Sequence, residues 1–375
     1  MDKIQMVDLK GQYQKIKPEV DAAIQSVIDN TAFINGQPVK DFSENLAKYL
    51  GAKHVIPCGN GTDALQIAMM ALGLKPGDEV IVPAFTYVAT AEVIGLLRLT
   101  PVMVDVNPQT FTVERQNLVK ALTANTKAIV PVHLFGQSCD MEPILKFAKE
   151  HGLYVIEDNA QAIGAEYTFS DGHKAKTGTM GDIGCTSFFP SKNLGCYGDG
   201  GALCTNNDAL AEKIRMIANH GQKKKYYHSV IGCNSRLDTI QAAILNVKLP
   251  HLDEYCKARH EAAAYYTSCL KDVKGIEVPF EADYSTHVFH QYTLKVADGK
   301  RDALKKHLED NNIPAMIYYP LPLQEQEAFQ FITSTAESLE NSKKLSSSVL
   351  SLPMHTELDK ETQDYIVAKI KTFFQ

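Results

Sequence analysis

An α/β fold built on a mostly parallel sheet is predicted for this 375-residue chain from three observations. Short, uniformly apolar runs alternate with helix-like text from about Leu46 to Thr205. Those runs lack the apolar-polar alternation of a sheet with one wet face, so both faces are covered. Beyond about Pro250 the composition shifts to a different mixture of helix and strand.

The elements follow in order. HVIPC reads as a strand, and TDALQIAMMALG (62–73) as a helix that Thr62 and Asp63 open and Gly73 closes. EVIVPAF is a buried strand, TAEVIGLL a helix, PVMVDV and KAIVPVHL strands, MEPILKFAKEHG a helix and LYVIED a strand. From Cys185, CTSFF and GALCTN read as neighbouring strands joined by a glycine-rich loop. A long helix, LDEYCKARHEAAAYYTSCLKD, then leads into the strand-like GIEVPF, HVFHQYTLKV and AMIYYP. A last amphipathic helix carries Ile366, Val367, Ile370, Phe373 and Phe374 on one face. The expectation is a large α/β domain over residues 1–250 and a small α+β domain over 251–375. The first 30 or so residues, amphipathic at VDAAIQSVI, are expected to pack against the small domain.

Composition narrows the function classes. Apolar residues are 45% and charged residues 22%, which excludes a disordered or fibrous chain. The 38 basic and 44 acidic side chains leave a net charge of −6, so nothing points to nucleic acid or an anionic membrane. No apolar stretch approaches the length of a membrane span, and MDKIQMVDLKGQ lacks the apolar core of a signal peptide. A cytoplasmic location is expected. The eight cysteines form no CxxC pair and read as small buried thiols of a reducing compartment. No metal site is expected, since His133, His220 and His228 show no ligand spacing with them. The run Lys223-Lys224-Lys225 reads as a solvated loop, with a basic clamp on a diphosphate as the sharper alternative.

Ligands of an open parallel sheet bind at the carboxyl ends of its strands. Four features stand there. Gly59, Asn60, Gly61 and Thr62 lie between a strand and a helix, where glycines allow close approach and free N–H groups face outward. That is a phosphate cradle or a simple capped turn; it is neither a P-loop nor GxGxxG. Phe85 or Tyr87 would project near the same edge, as a core aromatic or as a platform for a planar ring. Asp158 ends a buried apolar strand, where an acid needs a partner, and it could keep a pyridinium nitrogen protonated or cap the next helix. Lys192 sits in a glycine-rich turn beside an apolar strand, five residues after Ser187. Partial burial would lower its pKa and make the amine a nucleophile; a surface-loop lysine is the alternative. Together the four meet the needs of pyridoxal phosphate: phosphate, ring face, ring nitrogen and aldehyde.

An ordered set of strings then carries a resemblance. VDLKGQY, FINGQPVKDF, NGTDAL, GDEVIVPAFTYVAT, PVMVDV, VHLFGQ, VIEDNAQAIGA, TSFFPSKNLGCYGDGGA, NHGQ, NSRLDTIQAAIL, YYPLPL and LPMH run nearly end to end. The chain resembles the DegT/StrS-type sugar aminotransferases, a branch of the fold-type I pyridoxal-phosphate (PLP) enzymes with an aspartate-aminotransferase-like fold. The resemblance implies that Lys192 holds the cofactor's aldehyde and moves protons, and that Asp158 pairs with the pyridinium. It implies that Gln161 contacts the phenolic oxygen, that Tyr87 is the stacking aromatic, and that Gly61, Thr62 and Ser187 bind the phosphate. Asn234 is implied to reach the phosphate of a neighbouring subunit, which makes the protein a two-fold homodimer with shared sites.

The same resemblance implies ping-pong transfer from L-glutamate to a nucleotide-linked keto-sugar for a surface polysaccharide such as the O-antigen of lipopolysaccharide. The sugar most resembling the fit is UDP-2-acetamido-2-deoxy-3-oxo-glucuronate, aminated at carbon 3, with Arg236 pairing with its carboxylate. SRLD also occurs in 3-aminotransferases of sugars without a carboxylate. Tyr318, Tyr319 and Pro320 stand where such enzymes often have His-Tyr-Pro, which puts Tyr318 and Tyr319 at the substrate. The competing readings are a dTDP-3-keto-6-deoxyhexose 3-aminotransferase and a 4-aminotransferase acting on a 4-keto-6-deoxy sugar. Further off stand a PLP dehydratase, whose relatives carry His in place of Lys192, and a non-catalytic PLP-binding sensor, which would not need Lys192, Asp158 and Gln161 all intact.

Overall fold

The structure, a computed structural model, describes residues 4–330, 334–335 and 338–375. Its main sheet has eight strands: β1 (His54–Cys58), β2 (Glu79–Pro83), β3 (Thr100–Val104), β4 (Thr126–Ile129), β5 (Tyr154–Asp158), β6 (Ile183–Ser187), β7 (Gly201–Thr205) and β8 (Ser334–Thr335). Their spatial order is β1-β7-β6-β5-β4-β2-β3-β8. From β6 to β8 every pairing is parallel, and only β7 runs against its neighbours β6 and β1. The sequence-based expectation of a mostly parallel sheet is met, and CTSFF and GALCTN pair as neighbours.

Two apolar layers explain the uniformly apolar strands. Val80 and Val82 of β2 face one layer with the helix Gly61–Leu72, whereas Ile81 faces the other with Ile144 and Phe147 of the helix Met141–His151. Period-two alternation therefore sends each strand's side chains into two different cores.

A second, three-stranded antiparallel sheet joins Ile276–Glu277, Tyr292–Val296 and Val349–Leu352. Leu294, Leu350 and Leu352 pack there with Tyr266 and Leu270, Leu304 and Leu308, and Ile366 and Ile370. Those residues come from the helices Leu252–Leu270, Arg301–Asp310 and Lys360–Phe374.

Three local expectations change. AMIYYP forms no strand: Met316 and Ser351 exchange two backbone hydrogen bonds of 3.1 and 2.7 Å, and the chain then turns away. GIEVPF keeps only Ile276–Glu277 as strand, two residues short of Pro279, which has no N–H for a ladder. The C-terminal portion also returns to the main sheet, through β8 and through Leu323, Phe329 and Leu339, which share a core with Val80 and Val82.

The N-terminal segment divides. Ile4 packs on the core of the three-stranded sheet, and the Met354 N–H donates to the Met6 carbonyl at 3.1 Å. The amphipathic helix (Lys17–Asp29) instead lays Val20 and Ile24 on Ile240, Ile244 and Val247 of the helix Thr239–Lys248, before residue 250. Its apolar stripe meets the stripe that helix leaves uncovered. Residues 1–3 lie outside the described residues.

Candidate active site

Sheet register brings the candidate residues to one edge. Asp158 is opposite Cys185, two residues before Ser187; Ser187 and Cys58 both face Gly201. The carboxyl ends of β1, β5 and β6 thus open onto one cavity of about 610 Å³. Gly61, Thr62, Tyr87, Asp158, Gln161, Ser187 and Lys192 all line it. Tyr318 and Tyr319 close it from the far side.

The cradle is built by close approach. A Cβ on Gly61 would lie 2.8 Å from the Ser187 Cβ, so only glycine lets the turn settle on β6. The Asn60 Oδ1 caps the helix Gly61–Leu72 by accepting from the Asp63 N–H at 2.8 Å. The first N–H groups of that helix, with the Thr62 and Ser187 hydroxyls beside them, suit a phosphate.

Asp158 is buried at the end of β5. Its Oδ2 accepts from the Thr90 hydroxyl at 2.7 Å and its Oδ1 from the Ala160 N–H at 3.2 Å. Burial pushes its carboxyl above the ordinary value; those hydrogen bonds and the charge of Lys192 oppose the rise. Beneath it, the fully buried Glu157 accepts from the N–H groups of Gly178, Met180 and Gly181 at 2.7, 2.6 and 2.6 Å. His133 Nδ1 accepts from the Cys139 N–H, so its Nε2 carries the hydrogen and donates to Glu157 at 2.9 Å. The His133 N–H reaches the Asp158 carbonyl at 3.1 Å, which ties this network to the site acid.

Gln161 is fixed at both ends of its amide. Oε1 accepts from the Phe135 N–H at 2.7 Å, and Nε2 donates to the Tyr319 hydroxyl at 3.0 Å. Phe135 has φ of 59°, in a turn that presses against the chain before the second sheet. A Cβ on the next residue, Gly136, would lie 2.8 Å from the backbone nitrogens of Phe289 and His290. Tyr87 is 56% exposed, and its ring lies 6.1 Å from that of Tyr319. An open aromatic face at a cavity rim is free to cover a planar ligand.

Lys192 follows a tight turn closed by its own N–H on the Phe189 carbonyl at 2.8 Å. The next side chain, Asn193, donates to the Val288 carbonyl at 2.9 Å, and the Lys248 ammonium donates to the Gly195 carbonyl at 2.5 Å. The loop is thus pinned on both sides of the amine. Burial lowers the Lys192 pKa to about 8, and the carboxylate of Asp158 resists that fall.

Two expected residues lie elsewhere in this chain. Asn234 is exposed and bridges to Asn219. Arg236 lines a separate cavity of about 540 Å³ with Lys53, His54 and Arg215. Reading the sequence also missed contributors. Thr90, Phe135, His290 and Gln291 join the site through contacts that no local pattern announces. Asn60, named within the cradle from sequence, is the N-cap of a helix that starts at Gly61, one residue before the expected Thr62.

The arrangement fits pyridoxal phosphate on its own geometry. A cradle closed to any side chain, a buried acid met by hydroxyl and N–H donors, and a lysine whose pKa burial lowers to about 8 converge on one cavity. These features and the sheet define a PLP-dependent aminotransferase of fold type I. The particular family is given by sequence: the profile of the DegT/DnrJ/EryC1/StrS aminotransferase family matches residues 14–371, and the chain belongs to that family.

Relatives agree over full length. The chain is 48% identical to a pleiotropic regulatory protein of Geobacillus stearothermophilus, over 99% of each chain. It is 45% identical to the UDP-2-acetamido-2-deoxy-3-oxo-D-glucuronate aminotransferase of Pseudomonas aeruginosa, over 98% of this chain and 99% of that one. Other relatives are named for dTDP-linked sugars and for GDP-perosamine. The crystal structure of a family aminotransferase from Brucella abortus superposes with a TM-score of 0.94 at 40% identity, covering 99% of both chains. The ntda protein of Bacillus subtilis, solved with bound cofactor PMP, superposes with a TM-score of 0.91 at 30% identity, over all of this chain and 86% of that one.

Proposed function

We propose that this sugar aminotransferase moves the amino group of L-glutamate to carbon 3 of UDP-2-acetamido-2-deoxy-3-oxo-glucuronate. The products are 2-oxoglutarate and an amino sugar for a surface polysaccharide. Full-length similarity to the Pseudomonas aeruginosa enzyme carries the substrate reading. Cavity geometry carries the chemistry.

Gly61, Thr62 and Ser187 hold the cofactor phosphate, Asp158 keeps the ring nitrogen protonated, and Tyr87 covers the ring. Bound there, the cofactor supplies an electron sink next to the reacting carbon. Lys192 Nζ takes the proton from the donor's α-carbon and later delivers one to carbon 3 of the sugar. Gln161, fixed by Phe135 and Tyr319, orients the ring's oxygen edge. Tyr319, half-buried and bonded to Gln161, narrows access by water on that side.

Asn234 and Arg236 act in the cavity of a second copy in this reading. Support comes from their position away from their own cavity and from exposed apolar groups on the preceding segment: Tyr226 is 78% exposed and Ile231 87%. Arg236 then meets the sugar carboxylate. The remaining parts of the proposal are a cytoplasmic location and a division into a cofactor unit (1–250) and a smaller unit (251–375). Among the described residues, no helix is long and apolar enough to cross a membrane. A purely regulatory role, suggested by the name of the Geobacillus relative, has no use for Lys192, Asp158 and Gln161 in one cavity.

The test is product formation from L-glutamate with 3-keto and 4-keto nucleotide sugars, followed by mass spectrometry. The 3-keto uronate should be aminated at least tenfold faster than a 3-keto sugar without a carboxylate, since a charge-assisted pair contributes about 1.5–3 kcal/mol. Equal rates would remove the uronate assignment, and turnover of 4-keto sugars alone would remove carbon 3.

A further inference from the structure

Ser235, 2% exposed, lies between two residues that leave the cavity yet is itself bound to the cradle. Its hydroxyl accepts from the Gly59 N–H at 2.9 Å and donates to Asp63 Oδ2 at 2.6 Å. Both partners are more than 170 residues away in sequence. The Ser235 N–H is held by the Ala218 carbonyl at 3.0 Å, so the hydroxyl is presented from a fixed backbone.

Asp63 poses a problem for a phosphate site. It lies in the first turn of the cradle helix and lines the cavity. A carboxylate there is attracted to the free helix N–H groups, as a phosphate is. Left to rotate, it would compete for them and repel the incoming dianion. Ser235 occupies one carboxylate oxygen from the Gly59 side, and the turn between Gly59 and Asp63 is clamped at both ends.

We propose that Ser235 is a positioning residue for cofactor phosphate. By holding the Asp63 carboxylate, it keeps the helix N-terminus open to a phosphate. The same clamp joins the Asn234–Arg236 segment to the cradle of its own chain, so that segment and the cradle are ordered together.

The experiment titrates apo-protein with PLP and, separately, with pyridoxal, following the absorbance band of the lysine-bound cofactor. In Ser235→Ala the dissociation constant for PLP rises roughly tenfold, the size expected for losing a hydrogen bond to a charged group. Pyridoxal, which has no phosphate, binds as before. Adding Asp63→Asn to Ser235→Ala restores PLP binding, because the competing charge is gone. Asp63→Asn alone, nearly isosteric, binds PLP at least as tightly as the unaltered chain, and it serves if Ser235→Ala does not fold. Equal weakening toward PLP and pyridoxal would show a general structural role and overturn the proposal. So would unchanged PLP binding in Ser235→Ala, failure of the second substitution to restore it, or weaker PLP binding by Asp63→Asn alone. Neither glutamate nor a sugar enters the measurement, so its outcome is independent of the substrate reading.

Discussion

Lys192 belongs to a loop that Lys248 holds through the Gly195 carbonyl. Burial brings both ammonium groups down to a pKa of about 8. Lys248 is 1% exposed, ends the helix Thr239–Lys248, donates to the Gly195 carbonyl and lies 5.3 Å from the centre of the Tyr197 ring. Its surroundings are a carbonyl and an aromatic face, both of which favour the cation without offering it anything to react with. Lys192 faces a cavity that also holds an acid and an anion cradle. A lowered pKa therefore reports burial in both lysines, and reactivity only in the one that burial leaves with an opening.

Replacement separates the two most strongly. Lys192→Ala should lower amino transfer by at least about 10³-fold, since it removes the covalent anchor and the proton carrier together. Lys248→Met should leave turnover within about tenfold. It loses the hydrogen bond to Gly195, worth roughly 1–3 kcal/mol when the carbonyl is left unpaired, and gains by removing a buried charge. Steady-state rates and thermal midpoints of the two variants test this. A Lys248→Met variant as inactive as Lys192→Ala would move Lys248 from support into the chemistry.

A smaller difference appears in the pH dependence of cofactor uptake. The neutral amine of Lys192 is the species that attacks the aldehyde, so the association rate of PLP with apo-protein should rise with pH. It should level off above about 8 instead of climbing toward the ordinary lysine value of 10.5. Below 8 the rate falls about tenfold per unit as the amine protonates. Lys248→Met should keep the same midpoint. Stopped-flow absorbance measures both curves, and a midpoint that moves in Lys248→Met would mean that the two amines titrate together.

This pair also shows what a sequence makes legible. Lys192, Asp158, Ser187, Gly61 and Thr62 stand at strand ends or in the turns after them, and strand ends are visible as the close of an apolar run. Lys248 sits in ordinary amphipathic helical text, and nothing local distinguishes a buried lysine from a solvated one. Thr90 and Asp158 are 68 residues apart, Gln161 and Tyr319 158 apart. Such pairs are set by how strands stack, which periodicity does not encode. AMIYYP read as a strand because its apolar residues suit one, yet ladder partners decide strands, and beyond Met316 it has none. Asn234 and Arg236 were named by resemblance alone, and the cavity of a single chain does not include them.

The finest contrast concerns Asp158, whose burial opposes the charge its role requires. A carboxyl raised by burial is functional only above its folded pKa, and activity is lost as pH falls through that value. The Thr90 hydroxyl pulls the value back down by donating to Oδ2. Thr90→Val keeps the side-chain volume and removes the donor. The acid limb of the kcat/KM profile should then move up by about one pH unit, the equivalent of one hydrogen bond to a charged group. Well above that limb the rates of the two proteins should agree within a fewfold. The substitution therefore narrows the working range from the acid side only. A profile that falls evenly at every pH would mean that Thr90 shapes the packing around Asp158 and leaves its charge alone.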